Sequence, residues 1–296
     1  MTKEKTSLFN PGDIEYYVAR YIRENEQLFR NKVCIDAPAG QGVTSRVLLE
    51  VGADVAAFDL FPEYFKLDKV TCKKADLTKN IPLEDNHADW FICQEGFEHI
   101  SDQLAVFKEI NRVLKPGGNL LVTVPNYSNL KSKLGFLFFE TECYGRDMPP
   151  NELDTVWHAD NNKKAKDIYF GHAFLSGIQK LMFLAKMNGF SLKESNRTKI
   201  NKTSLFFFPF LYPLIAFVSF RTYVYACKKK HKAGATGFKE IYKPLLKINL
   251  NPKTLVCKNL FLKFQKVGSF EETKKSLFTG KELSPWETIS SNQKNY

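Results

Sequence analysis

Acidic residues are nearly missing from one long part of this chain. Between positions 199 and 253 the only acid is Glu240, against eleven lysines and arginines, a segment charge of 11 − 1 = +10 out of a formal net +11. The remainder therefore carries about +1, and the basic character belongs to one segment. Other absences exclude whole classes. The six cysteines (34, 72, 93, 143, 227 and 257) contain no C-x-x-C pair. A zinc ribbon or disulfide framework is not expected, and the place of several of them in apolar runs predicts reduced, buried thiols. Met1-Thr2-Lys3-Glu4-Lys5 has none of the apolar core of a signal peptide, which predicts a cytoplasmic protein. The most apolar run, residues 204–220, is seventeen residues long, short of the about twenty that a membrane-spanning helix needs.

What is present is organised around residues 32–62 of a chain of 296, long enough for one large domain or two small ones. Val33-Cys34-Ile35 is a short apolar run ending on Asp36. The small-residue turn Ala37-Pro38-Ala39-Gly40-Gln41-Gly42 follows, then a helical pattern through Val43, Val47 and Leu48 that closes at Gly52. Val55-Ala56-Ala57-Phe58 again ends on an acid, Asp59. This is a βαβ unit with its ligand site at the strand ends. Gly40 and Gly42 let backbone N–H groups approach a ligand, and a carboxylate ending the second strand suits a ribose diol. The dinucleotide spacing G-x-G-x-x-G fails, because Ser45 stands at its third position. Asp36 suits a cationic amine, such as the amino-acid end of S-adenosylmethionine.

Along the chain, residues 13–29 predict an amphipathic helix with Asp13 as N-cap. Strands are expected near 70–75, ending at Asp76-Leu77, and at 88–93, ending at Gln94-Glu95. Leu104, Phe107, Ile110 and Leu114 mark a helix capped by Ser101; Lys115-Pro116-Gly117-Gly118 reads as a turn before a strand at 119–125. The alternation predicts a doubly wound α/β fold with a mainly parallel sheet.

ADLTKNIPLEDNHADWFICQEGFEHI, followed by FKEINRVLKPGGNLLVTVPN, resembles class I S-adenosylmethionine-dependent methyltransferases, in particular the group of ubiquinone-type O-methyltransferases and bacterial surface-glycan methyltransferases. The likeness runs from 32 to 126 and resumes at 170–174 and 188–190; the family's first loop glycine is Pro38 here. The resemblance implies a Rossmann-like sheet with an antiparallel last strand and S-adenosyl-L-methionine as cofactor. It would place Asp36 and the turn Ala37, Pro38, Ala39, Gly40 and Gly42 at the methionine end, Asp59 at the ribose, and Leu60 against the adenine. Asp76 and Leu77 would meet the adenine amino group, and Gln94, with Glu95 beside it, the sulfonium side. His99 and His172 are candidates for the base that takes the proton of an acceptor hydroxyl. Glu95, Glu98 and His99 form an E-x-x-E-H pattern that is associated with a divalent cation in ubiquinone-type relatives, but the plainer reading is that Glu98-His99 caps and packs the next helix, and no metal ligand is assigned.

In such a fold the last two strands, expected at 190–200 and 254–266, form a hairpin. Residues 1–200 with 254–267 are then the core, 140–170 a loop or lid, 201–253 an insertion and 268–296 a polar tail. Both flanking strands belong to one sheet, so the insertion must return to the side it left, and it has too few apolar residues for two crossings. Pro209 and Pro213 are expected to break a straight helix. An interfacial element follows, with aromatic residues in the lipid boundary and lysines on anionic head groups; a buried lid is the alternative. Nucleic acid is not expected, since the basic residues flank an apolar block instead of interleaving with isolated aromatics. The functions compatible with these residues are an O-methyltransferase acting on a glycan or lipid-linked envelope intermediate at the cytoplasmic membrane face, a soluble small-molecule or quinone methyltransferase, and an inactive membrane-bound scaffold.

Overall fold

The computed structural model describes residues 9–141, 156–158, 168–232 and 238–273. The strands β1 (Val33–Asp36), β2 (Asp54–Asp59), β3 (Cys72–Lys74), β4 (Ala88–Gln94), β5 (Leu114–Pro125), β8 (Phe190–Ser195) and β9 (Asn259–Lys266) form one sheet in the order β3-β2-β1-β4-β5-β9-β8. The pairs among the first five are parallel, and β9 is antiparallel to both β5 and β8. This is the doubly wound sheet with an antiparallel last strand. Its chain order reverses between β1 and β4, where a crevice opens outside the strands' C-terminal ends.

Alternation along the strands feeds two cores. Phe91, Cys93, Leu120, Val122 and Leu262 pack on one face with α3 (Gln103–Val113) and α5 (Ile178–Met187). Trp90, Ile92, Leu121 and Phe261 pack on the other with α1 (Ile14–Glu24) and α2 (Val43–Glu50). In α1 the buried Ile14, Val18 and Ile22 recur every four residues, as one helix face requires. Asp13 occupies the N-cap position without a side-chain bond.

Several boundaries differ from the sequence expectations, each for a local reason. Asp102, not Ser101, caps α3, its carboxylate accepting from Ala105 N at 2.9 Å. The expected turn at 115–118 is absorbed into β5 as an irregularity, with Gly117 at φ +77 and a register shift opposite Ala88 and Trp90. Helix α5, expected from its apolar spacing over 174–187, begins only at Ile178, because Phe174 N bonds Glu98 O and Ser176 Oγ bonds Gln103 Oε1, which holds the preceding residues against α3. Strand β9 begins at Asn259, because Asn251 caps a short helix, α8 (Pro252–Val256), that has proline at its first turn. Within the expected lid at 140–170, β6 (Val156–His158) pairs antiparallel with β7 (Ile168–Phe170); residues 142–155 and 159–167, like the tail beyond 273, lie outside the described residues.

The insertion does lie inside the last hairpin. It is helical: α6 (Lys202–Lys232), α7 (Phe238–Asn249), then α8. Pro209 and Pro213 sit inside α6 and do not end it. Each removes one ladder bond, but α6 packs against α4 (Leu130–Phe139), α7 and α8, and that packing outweighs the lost bonds. At about 1.5 Å per residue, α6 is some 45 Å long and, among the described residues, is the one helix long and apolar enough to cross a membrane, with only 6% of its apolar window buried. Asn249 Nδ2 bonds Ser219 Oγ and Tyr212 OH bonds Leu250 O, so α7 folds back antiparallel along α6.

The base of the insertion is tied to the core by amides. Asn126 donates to the carbonyls of Thr254 and Cys257, and Lys131 N donates to the hydroxyl of fully buried Ser204. The tip of α4 adds exposed Phe136, Leu137, Phe138 and Phe139 beside α6.

Gly189, between α5 and β8, has φ +76, and a Cβ there would collide with the Gly268 carbonyl oxygen. Gly117 has a similar φ with open space around it. Thermal unfolding of Gly189→Ala should show a stability loss at the upper end of about 1–3 kcal/mol, and Gly117→Ala a loss at the lower end. Equal losses would mean that the close approach at Gly189 is unimportant.

Candidate functional site

The ends of β2 and β4 and the loops after β1 and β3 deliver side chains to the same crevice, because parallel strands end on one edge. The crevice is a cavity of about 470 Å³, within the range of small-molecule sites. Pro38, Gly40, Asp59, Leu60, Asp76, Leu77, Gln94, Glu95 and His99 all line it. Gln41, Phe61, Tyr64 and Gly96 line it as well and were not anticipated. The Phe61-Pro62 pair directly after Asp59-Leu60 was the available signal for the aromatic wall.

The Asp59 carboxylate holds the first turn, accepting from Gly40 N at 2.8 Å and from Phe61 N at 2.9 Å. Gly42 starts α2 at φ +86, and a Cβ there would meet the Phe65 ring at 2.9 Å. Pro38 occupies the family's glycine position because Gly96 lies against it; a Cβ on Gly96 would stand 2.6 Å from the Pro38 ring. Asp76 accepts from the Thr78 amide and hydroxyl. Burial raises its pKa, but the Thr78 bonds and Lys79 outweigh it and hold the carboxyl below its ordinary value. Gln94 accepts from Thr44 Oγ1 at 2.9 Å.

Four residues assigned to the cofactor do not reach the wall. Ala37, Ala39 and Gly42 lie behind it, and Asp36 is 1% exposed with Oδ2 taken by Ser45 Oγ at 2.6 Å. Asp36 thus braces α2 through Ser45 and presents no exposed oxygen at the wall. Burial pushes its carboxyl up to about 7 despite the Ser45 bond. Burial, with the Glu15 charge adding to it, also lifts half-buried Glu95 to about 7, although Thr123, Asn259 and Lys258 oppose this.

The second constellation joins residues far apart in sequence. Glu98, His99 and His172 offer ligand atoms within 4.8 Å of one another; Glu95 is not among them. His99 Nδ1 lies 3.0 Å from Gly171 O, so that nitrogen donates and Nε2 keeps its lone pair. The His99 and His172 rings are 5.1 Å apart. Glu98 does not cap α3, the role favoured from sequence. Both its carboxylate oxygens are buried and without a hydrogen-bond partner among the described residues. Burial, then the Glu95 charge, raises its pKa well above the ordinary value. An orphaned carboxylate beside two imidazoles fits a divalent cation, although opposite ligands of such an ion stand only about 4 Å apart, so the group must contract slightly.

Residues 35–122 match a family model described as a methyltransferase domain. The chain carries a class I S-adenosylmethionine-dependent methyltransferase domain. Over 126 residues it is 29% identical to a ubiquinone biosynthesis O-methyltransferase of Xanthomonas campestris, covering 40% of this chain and 50% of that one. Over 120 residues it is 31% identical to an uncharacterized methyltransferase of Mycobacterium bovis, covering 39% and 48%. The matching part thus spans about half the length of these relatives. Crystal structures of S-adenosylmethionine-dependent methyltransferases are also similar. One from Mesorhizobium loti has a TM-score of 0.46 at 12% identity, covering 86% of this chain and 98% of that one; one from Archaeoglobus fulgidus has 0.47 at 12%, covering 85% and 94%. The fold assignment of the methyltransferase domain rests on its own strand order. S-Adenosylmethionine is the cofactor of this domain.

The raised acids give a pH signature. Between about pH 4 and 7 an unfolded chain has released the protons that Asp36 and Glu95 keep in the fold. The ligand-free protein should therefore lose stability as pH rises through that window. A cationic cofactor favours the ionised forms, so its affinity should rise from pH 6 to 8 with proton release on binding. Calorimetry in buffers of different ionisation enthalpy measures that release, and Asp36→Asn should reduce it. A pH-independent affinity would refute this account.

Proposed function

We propose that the chain is an S-adenosylmethionine-dependent O-methyltransferase whose acceptor is a glycan or lipid-linked envelope intermediate met at the cytoplasmic face of a membrane. The observation that carries the methyl-transfer reading is the crevice in which Asp59, Asp76 and Gln94, from successive strand ends, converge on one cavity beside His99. Asp59 would hold the ribose hydroxyls, Asp76 and Leu77 the adenine, and Gln94 would face the sulfonium. Fixing the two reactants in line supplies much of the acceleration. When bound, S-adenosylmethionine would supply the methyl group that the acceptor oxygen takes in exchange for its proton, with S-adenosylhomocysteine as the other product. The hydroxyl proton passes to His99 Nε2, whose ring the Gly171 carbonyl holds in orientation. If Glu98, His99 and His172 instead hold a divalent cation, His99 Nε2 would be a ligand and not the base, and the ion would supply electrostatic stabilisation of the acceptor's oxyanion.

The insertion supports action at a membrane. Phe206, Phe210, Leu214 and Phe217 are exposed at helical spacing on α6, with the four apolar residues of the α4 tip beside them. Exposed apolar area of this extent, rimmed by Arg221, Lys228, Lys229 and Lys232, suits the boundary of an anionic bilayer. The return helix favours a helix lying in the interface over one crossing the bilayer. Lys239, Lys243 and Lys247 recur every four residues on α7 and are exposed, and burying them in hydrocarbon is costly.

Calorimetry should detect S-adenosylmethionine binding by the wild type. Asp59→Ala should weaken it roughly 10- to 100-fold, the value of a charged hydrogen bond. His99→Ala should leave that affinity near normal while turnover on envelope extracts falls. No binding by the wild type sinks the methyltransferase reading.

The protein should also pellet with phosphatidylglycerol vesicles and less with neutral ones. Replacing Lys228, Lys229, Lys230 and Lys232 by glutamine should release it, at about 1 kcal/mol per lysine. High salt should weaken binding without abolishing it, because apolar contact is not screened. A protein that stays in solution beside anionic vesicles would instead use α6 as a lid or a contact between proteins.

A further inference from the structure

A second cavity, of about 650 Å³, lies between α1 and residues 196–200, the link from β8 into the insertion. Its wall is rich in donors: Arg20, Arg197, Lys199, Tyr17, Asn196 and Thr198. The ion pairs nearby join Arg20 to Glu24 and Lys263 to Glu194. That leaves Arg197 and Lys199 with no carboxylate partner among the described residues. Arg197 and Arg20 both lie close enough to the Tyr17 phenol to act on it electrostatically. The Asn196 Nδ2 is buried and faces the Glu194 carboxyl, which it helps to hold below its ordinary value.

The cavity is coupled to the crevice. Thr198 Oγ1 donates to Asn259 O at 2.8 Å, and the Asn259 side chain lies 3.3 Å from the Glu95 carboxylate. One residue thus separates the two sites. On its other side the 196–200 link runs directly into α6, so whatever occupies this cavity sits between the reaction crevice and the apolar helix.

We propose that this cleft binds a phosphate group, carried either by the methyl acceptor or by a lipid headgroup of the bilayer. The Arg197 guanidinium, the Lys199 ammonium and the Tyr17 phenol, with Arg20 shared with Glu24 on the same wall, offer donors to several oxygens at once, which a tetrahedral phosphate presents and an uncharged sugar does not. The acceptor form of the proposal rests on the methyltransferase reading; the binding itself does not.

The test is calorimetry of the full chain with inorganic pyrophosphate. Wild type should bind, and Arg197→Gln with Lys199→Gln should weaken binding at least tenfold. Tyr17→Phe, which changes no charge, should weaken it severalfold. All variants should keep wild-type unfolding temperature and S-adenosylmethionine affinity, since neither residue set lines the crevice. Neutralising Lys228, Lys229, Lys230 and Lys232 should leave pyrophosphate affinity unchanged. If phosphatidylglycerol vesicles compete with pyrophosphate, the phosphate belongs to a headgroup; if they do not, it belongs to the acceptor. Absence of pyrophosphate binding by the wild type, or binding that the double variant leaves intact, overturns the site. Pyrophosphate binding without S-adenosylmethionine binding would keep the cleft and remove the methyltransferase reading.

Discussion

The bond from Gly40 N–H to the Asp59 carboxylate at 2.8 Å is the contact on which the site's geometry depends. It joins the turn after β1 to the end of β2. Phe61 N binds the other carboxylate oxygen, so one side chain sets two of the loops that bound the cavity. The adjacent turn has little freedom left. Gly42 is held at positive φ under the Phe65 ring, and Pro38 is wedged on Gly96. Rigid loops at the C-terminal edge of a parallel sheet are what a cofactor with several polar groups requires.

Behind that wall, burial drives the electrostatics. Asp36, Glu95 and Glu98 all titrate above the ordinary carboxylate range, with desolvation as the largest cause in each case. Such a cluster is poorly placed for stability and well placed for cationic ligands, whose arrival restores the charged forms. Under the proposal, the same physics would serve a sulfonium at the first constellation and a cation at the second.

The insertion poses the opposite problem, since its surface is apolar and its base polar. Asn126 and Ser204 satisfy the backbone where α6, α8 and β5 meet. This lets a long exposed helix leave the core without distorting the sheet edge that carries Glu95 and Asn259. The basic linker at 196–200 stands at this junction, which is why the fold brings a cationic cleft close to the crevice.

Local pattern was enough for much of this. The acids at the ends of β1 and β2, the glycine turn between them and the helical spacing in α1 and α3 are short-range features with short-range causes. They specified the βαβ unit, the mainly parallel sheet and most of the crevice wall. Element ends were less legible, because Asp102 displaced Ser101 as cap and Asn251 started a helix where a strand was expected. Pro209 and Pro213 marked a break that packing against α4, α7 and α8 overrides. The meeting of Glu98 and His99 with His172, and the path from Glu95 through Asn259 to Thr198, could not be read from spacing. The partners are separated by more than sixty positions; the strand order that sets β9 beside β5 and β8 joins Glu95, Asn259 and Thr198, and the segment before α5, held on Glu98 and Gln103, brings His172 to His99. Sequence determined which chemical groups stand at the strand ends; tertiary structure decided which of them share a cavity, because proximity across a sheet depends on topology and not on distance along the chain.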